Sequence, residues 1–146
     1  MKPILIGLAN EPINISLNPF SEKYPIYVTE NGLSSNHRDN TEANTNGTDI
    51  NPNFNDEFRV DFYHQYIGQM KKAMDDGVVV KAYTAWSLLD NFEWASGYSE
   101  RFGLHWVNYT LLNENPDTSE QVAFQKESAK WFGNLATTNT LEPFEP

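Results

Sequence analysis

Apolar positions in this chain alternate between two periods. Pro25–Thr29 is a short, β-branched apolar run and predicts a buried strand. After Asp56 the spacing changes: Tyr63, Tyr66, Ile67, Met70, Ala73 and Met74 recur at helical intervals and form one apolar face. Asn55 is placed to cap this helix, Asp56 and Glu57 put negative charge in its first turn, and Lys71 and Lys72 lie near its end. Gly77 can close it. Val78–Thr84 predicts a second strand, and Arg101–Tyr109 a hairpin. A last helix is expected over Thr118–Asn134, with Asp117 and Glu120 spaced as a capping box.

The polar stretches divide the chain. Residues 1–24 mix Pro, Asn and Ser without a sustained period and read as an irregular N-terminal segment. Leu33–Asn55 is rich in Asn, Ser, Thr, Asp and Gly and predicts a long exposed loop; a tolerated surface insertion is its simplest reading. Residues 136–146, with Pro143 and Pro146, read as a flexible tail, leaving 25–135 as the ordered unit. The order strand, long loop, helix, strand, long loop, helix predicts an α/β fold of two consecutive β/α units from a parallel sheet or barrel. In such folds the loops at the strand C-termini carry the chemistry.

Composition narrows the function classes. At 146 residues the chain is long enough for one domain, and 39% hydrophobic with 14% aromatic residues is a globular balance. A net charge of −10 argues against nucleic acid or an anionic membrane as a partner. No apolar run approaches the roughly 20 residues that span a bilayer. Met1–Ala9 carries one positive charge and a very short apolar stretch, a weak match to a secretory signal. The absence of cysteine excludes disulfides and thiolate metal sites but does not decide the compartment. Asn-x-Ser/Thr sequons at Asn14, Asn46 and Asn108 are about as many as this composition yields by chance. His37, His64 and His105 are scattered and point to neither a metal site nor a triad, and no phosphate-binding Gly-rich loop is visible, so no cofactor is expected.

Two clusters fall at the expected strand C-termini. Pro25-Ile-Tyr-Val-Thr-Glu-Asn-Gly32 ends a strand on Glu30, just before a pair that turns easily. A carboxylate held at a strand tip can attack an anomeric carbon, or it can merely cap a turn. Trp86-Ser-Leu-Leu-Asp-Asn-Phe-Glu-Trp94 places two tryptophans, a phenylalanine and two carboxylates within nine residues. Aromatic faces stack on sugar C–H groups while a carboxylate accepts from hydroxyls, and a small-molecule pocket combines an apolar lining with few polar groups. Glu93, between Phe92 and Trp94, is costly to bury without partners but could equally be exposed beside core aromatics. Trp86 could be a stacking platform or barrel core. Asp90 and Asn91 fit better as supports of the loop backbone than as ligands for substrate. On the residues alone, Glu30 and Glu93 could pair as two glycosidase carboxylates.

These motifs resemble family 1 glycoside hydrolases, retaining β-glucosidases with a (β/α)8 TIM barrel. The resemblance runs from about Tyr24 to Leu135 and covers roughly the last two β/α units, the C-terminal third of such a barrel. Pro25–Gly32 resembles the strand-7 nucleophile motif, and Asp76–Trp94 resembles strand 8 and its sugar-binding loop. Gly97-Tyr-Ser-Glu-Arg-Phe-Gly103 and Ser128-Ala-Lys-Trp-Phe132 resemble the segments that follow. The resemblance implies that Glu30 is the nucleophile and Trp86 the platform under the sugar ring. By the same route Glu93 binds distal hydroxyls, Trp94 is a hydrogen-bonding neighbour and Phe102 belongs to the pocket wall. This argues against pairing Glu30 with Glu93. Family members acting on 6-phospho-sugars lack a carboxylate at the Glu93 position, so unphosphorylated β-glucosides are the implied substrates.

The departures from the family pattern are as informative. A family barrel has eight β/α units, and its general acid/base sits upstream in a Thr-x-Asn-Glu-Pro motif. Leu8-Ala-Asn-Glu-Pro12 looks similar, but Glu11 lies only 19 residues before Glu30, too near for the family topology. The acid and nucleophile about 5–5.5 Å apart that retention requires are therefore not both visible. The expectation is a β-glucosidase-like hydrolase lacking its general acid/base. A non-catalytic sugar-binding or regulatory remnant is the alternative, and a third arrangement has the missing part of the barrel supplied by a partner chain.

Overall fold

The computed structural model describes residues 24–35, 54–117 and 119–142. Most of the expected N-terminal segment, with Glu11 and Asn14, lies outside the described residues. So do His37, Asn46, the rest of positions 36–53, and Pro143 and Pro146.

Strand β1 (Ile26–Asn31), helix α1 (Glu57–Asp75) and strand β2 (Val80–Ala85) form a β/α/β unit whose strands pair in parallel. The register sets Ile26 opposite Val80, Val28 opposite Tyr83 and Asn31 opposite Ala85. β2 starts later than the apolar run because Val78 belongs to the helix end. Its N–H donates to Ala73 O at 3.0 Å and that of Gly77 to Met74 O at 2.9 Å. Gly77 has φ +95°, a left-handed closure that a side chain disfavours.

The chain beyond β2 corrects two expectations. Strand β3 (His105–Val107) does not form a local hairpin within 101–109. It leads into helix α2 (Tyr109–Glu114) and pairs antiparallel with β4 (Ala123–Gln125), His105 opposite Gln125. The last helix, α3, spans Glu127–Thr138 rather than 118–134, because β4 takes residues 123–125. Asp117 and Glu120 therefore form no capping box. The start of α3 is capped from across the molecule: Glu127 N–H donates to Phe54 O at 2.9 Å and Ser128 N–H to Asp56 Oδ1 at 2.8 Å. Asp56, not Asn55, is the N-cap residue of α1, and its side chain caps the neighbouring helix rather than its own.

The core lies between α1, α3 and β2. Tyr63, Ile67, Leu104 and Ala129 are its buried centre, with Met70, Tyr83, Phe132, Leu135 and Leu141 packed around it. Tyr63 meets Phe132 edge-on at 5.5 Å between ring centroids. Of the expected α1 face, Tyr63 and Ile67 are buried, whereas Met74 at the far end is exposed. Among the described residues the parallel sheet has two strands, an open α/β arrangement with no closed barrel.

Candidate active site

Parallel pairing brings the C-terminal ends of β1 and β2 together. Trp86, the residue after β2, donates its N–H to Asn31 O at 2.7 Å. Glu30 is exposed on the last turn of β1, so Glu30 and Trp86 stand on adjoining strand ends. Gly32 makes this approach possible: a Cβ there would lie 1.7 Å from Trp86 O. Two tyrosines hold the ends from beneath. Tyr83 O–H donates to Asn31 Oδ1 at 2.6 Å and Tyr63 O–H to Trp86 O at 3.2 Å. Burial raises the pKa of both phenols well above the usual range, which keeps them as donors. The Trp86–Ser87 peptide is cis.

The loop after Trp86 is built on a buried carboxylate. Asp90 accepts from Arg101 Nη1 at 3.0 Å, Gly103 N–H at 2.8 Å, Val107 N–H at 3.3 Å and Lys126 Nζ at 3.4 Å. It thus supports the loop backbone. Gly103 is essential to this packing, since a Cβ there would meet Asp90 N at 2.2 Å. Arg101 also donates to Val107 O at 3.0 Å, and its guanidinium lies 4.8 Å from the Tyr109 ring. Lys126 donates to Gly103 O at 2.8 Å; burial pushes its pKa down to about 8, with Asp90 opposing that shift. The returning strand segment is tied to Trp86's neighbour: Ser87 N–H donates to Phe102 O at 3.1 Å and Leu104 N–H to Ser87 O at 2.8 Å.

Glu93 and Trp94 project from the far end of this loop. Glu93 Oε2 accepts from Asn91 Nδ2 at 3.0 Å, and Glu93 N–H donates to Gly97 O at 2.6 Å. Trp94 opens a 3-10 turn with φ +46°, a region few side chains adopt, and is 84% exposed. Beside it Phe92 packs edge-on against Tyr98 at 5.2 Å.

The loops after the two strands are also joined to each other. Ser35 N–H donates to Arg101 O at 3.1 Å, Arg101 N–H to Ser34 Oγ at 3.3 Å, and Ser34 bonds Glu100. Glu30, Trp86 and Phe102 are therefore linked through neighbouring backbone, while the side-chain bond of Glu93 stays within its own loop. Sequence reasoning missed Arg59, Asp56, Arg101 and Lys126. Arg59 carried a signal: it lies one turn before Tyr63 and two before Ile67, a charge on the buried stripe of α1. Among the described residues no three His, Asp or Glu side chains group to hold a metal. A groove of about 590 Å³ lies between α1, β2 and α3, but Val80 and Lys81 in its lining place it at the start of β2, away from the strand tips.

The chain is similar to known proteins over most of its length. The family model for glycosyl hydrolase family 1 matches residues 8–141. Beta-glucosidase 42 of Arabidopsis thaliana is 40% identical over 124 residues, 82% of this chain and 22% of that protein. Human lactase/phlorizin hydrolase is 40% identical over 126 residues, 84% of this chain and 6% of that protein. The solved beta-glucosidase of Thermotoga maritima in complex with deoxynojirimycin superposes with a TM-score of 0.62 and 37% identity, covering 87% of this chain and 25% of that one. The chain thus spans about a quarter or less of the length of these relatives.

Proposed function

The chain belongs to glycosyl hydrolase family 1, and from that membership we propose that it carries the nucleophile half of a β-glucoside-hydrolysing site. The observation that supports this most directly is the joining of two strand ends, Asn31 O to Trp86 N–H, which puts the exposed Glu30 and Trp86 on adjoining strand ends. Glu30 attacks the anomeric carbon of a β-glucoside. The bond to the leaving oxygen breaks as that oxygen takes a proton from a general acid not assigned among the described residues. Water, losing a proton to that same acid group now acting as base, then adds to the carbon, the glycosyl–Glu30 bond breaks, and configuration is retained. Trp86 lies under the sugar ring, Glu93 and Trp94 bind its distal hydroxyls, and Phe102 forms part of the wall. The deoxynojirimycin complex of the Thermotoga maritima relative supports a small sugar-like ligand for this site.

A second reading is sugar binding without turnover. It is favoured by the way Asn91, Glu93 and Trp94 form a polar–aromatic turn, exposed at Trp94, that owes nothing to Glu30. One experiment separates the two. Incubation with an activated 2-fluoro-β-glucoside, whose leaving group needs little acid assistance, should add one glycosyl mass, mapped to Glu30 by peptide sequencing. Saturable quenching of tryptophan fluorescence by glucose without any adduct supports the binding-only reading. Folded protein showing neither adduct nor quenching overturns both.

A further inference from the structure

We infer that Arg59 is a positioning residue that fixes the loop following Glu30 against the loop that carries Glu93 and Phe102. Its guanidinium is fully buried and reaches both loops at once. Nε donates to Leu33 O at 3.1 Å, three residues past Glu30, and Nη2 donates to Arg101 O at 2.8 Å, next to Phe102. Nη1 pairs with Asp56, which the Ser128 N–H and hydroxyl hold at the start of α3. The planar fork is thereby anchored at one corner and spends its other two on the carbonyls that must keep register. Arg101 O accepts from Ser35 N–H as well, so the same carbonyl receives a donor from each side.

Burial of a charge is costly before pairing, and an apolar side chain would extend the Tyr63–Ile67 stripe more simply. What an apolar side chain cannot do is satisfy Leu33 O and Arg101 O together. Lysine is a poor substitute: its three N–H donors radiate from one nitrogen, without the rigid fork that spreads Nε, Nη1 and Nη2 over separate acceptors. The chemistry therefore assigns Arg59 the spacing of the two loops rather than bulk stability. Its catalytic consequence rests on the reading of Glu30 as nucleophile, because small misplacements of a reacting group lower rate steeply.

The test is Arg59→Lys in the full chain, read two ways. Labelling by the activated 2-fluoro-β-glucoside should slow about tenfold or more at saturating probe. Amide hydrogen exchange should speed up at Ser35 while Ile67 and Phe132 remain protected. Equal labelling rates, or unchanged exchange at Ser35 in the folded variant, overturn the inference. If the unaltered protein takes no label, the nucleophile reading has failed and the exchange at Ser35 alone decides. If Arg59→Lys does not fold, the Arg59 Nε–H of the unaltered protein decides: slow exchange supports the bridge, and solvent-like exchange overturns it.

Discussion

Asp90 and Arg101 form a buried ion pair at 3.0 Å across a separation of 11 residues, and Lys126 approaches the other oxygen of the same carboxylate. Two cations thus depend on one anion inside the protein. Asp90→Ala should therefore destabilise the fold by about 3–5 kcal/mol, the usual cost of leaving buried charge unpaired. Urea unfolding followed by tryptophan fluorescence measures it; a loss under about 1 kcal/mol would mean that solvent reaches both cations.

Lys126 gives stability a pH dependence of definite sign. Its folded pKa, near 8, lies below the ordinary lysine value of 10.5, so between those values the unfolded chain binds more protons. The Lys126 contribution to stability therefore rises across that window, by roughly 3 kcal/mol at most. Above about pH 10 the buried phenols of Tyr63, Tyr83 and Tyr109 act oppositely. Their folded pKa values are raised, so the folded state retains protons that the unfolded chain releases. Stability of the parent relative to Lys126→Met should climb from pH 7 to 10; a flat difference would place Lys126 in water.

Gly32→Ala should disrupt the joined strand ends. The added carbon would fall 1.7 Å from Trp86 O, a backbone atom already held by Tyr63, so β1 and β2 must separate locally. The expected cost is about 3 kcal/mol or more, with a shift in tryptophan emission as the surroundings of Trp86 change. Thermal unfolding and fluorescence spectra check it, and wild-type values in both would contradict the contact.

Glu30 and Glu93 should separate in their responses to the same chemistry. Glu30→Gln replaces the nucleophilic carboxylate with an uncharged amide and should abolish labelling by the activated 2-fluoro-β-glucoside. Glu93→Gln should retain labelling at about a tenth to a hundredth of the efficiency, the loss expected of one charged hydrogen bond. Intact mass against time distinguishes them; an adduct on Glu30→Gln would move the nucleophile elsewhere.

Local physics was legible in the chain and distant partnership was not. Tyr63 and Ile67 announced the buried face of α1 through spacing, and Gly77 announced its end, because both depend on residues within a few turns. Trp86 and Glu30 were placed at strand ends by the apolar runs before them. β4 was hidden because Ala123-Phe-Gln125 is too short to show a period; it is a strand through pairing with His105–Val107. The capping of α3 was misread for a related reason. Asp117 and Glu120 had suitable local spacing, but the acceptor used is Asp56, 72 residues before Ser128. Arg101 and Lys126 look like surface charges in one dimension and become interior only when Asp90 is brought to them.

The inward orientation of Asp90 has a consequence for how such a loop changes over generations. Its supporting bonds end on Arg101, Lys126 and two backbone amides, whereas Leu88, Leu89 and Phe92 point outward and are exposed. Scaffold and outer surface are thus written in separate letters of the same short stretch. Substitutions at the outward positions leave those bonds untouched and cost the fold little, whereas a change at Asp90, Arg101 or Lys126 leaves a descendant chain with broken buried pairs.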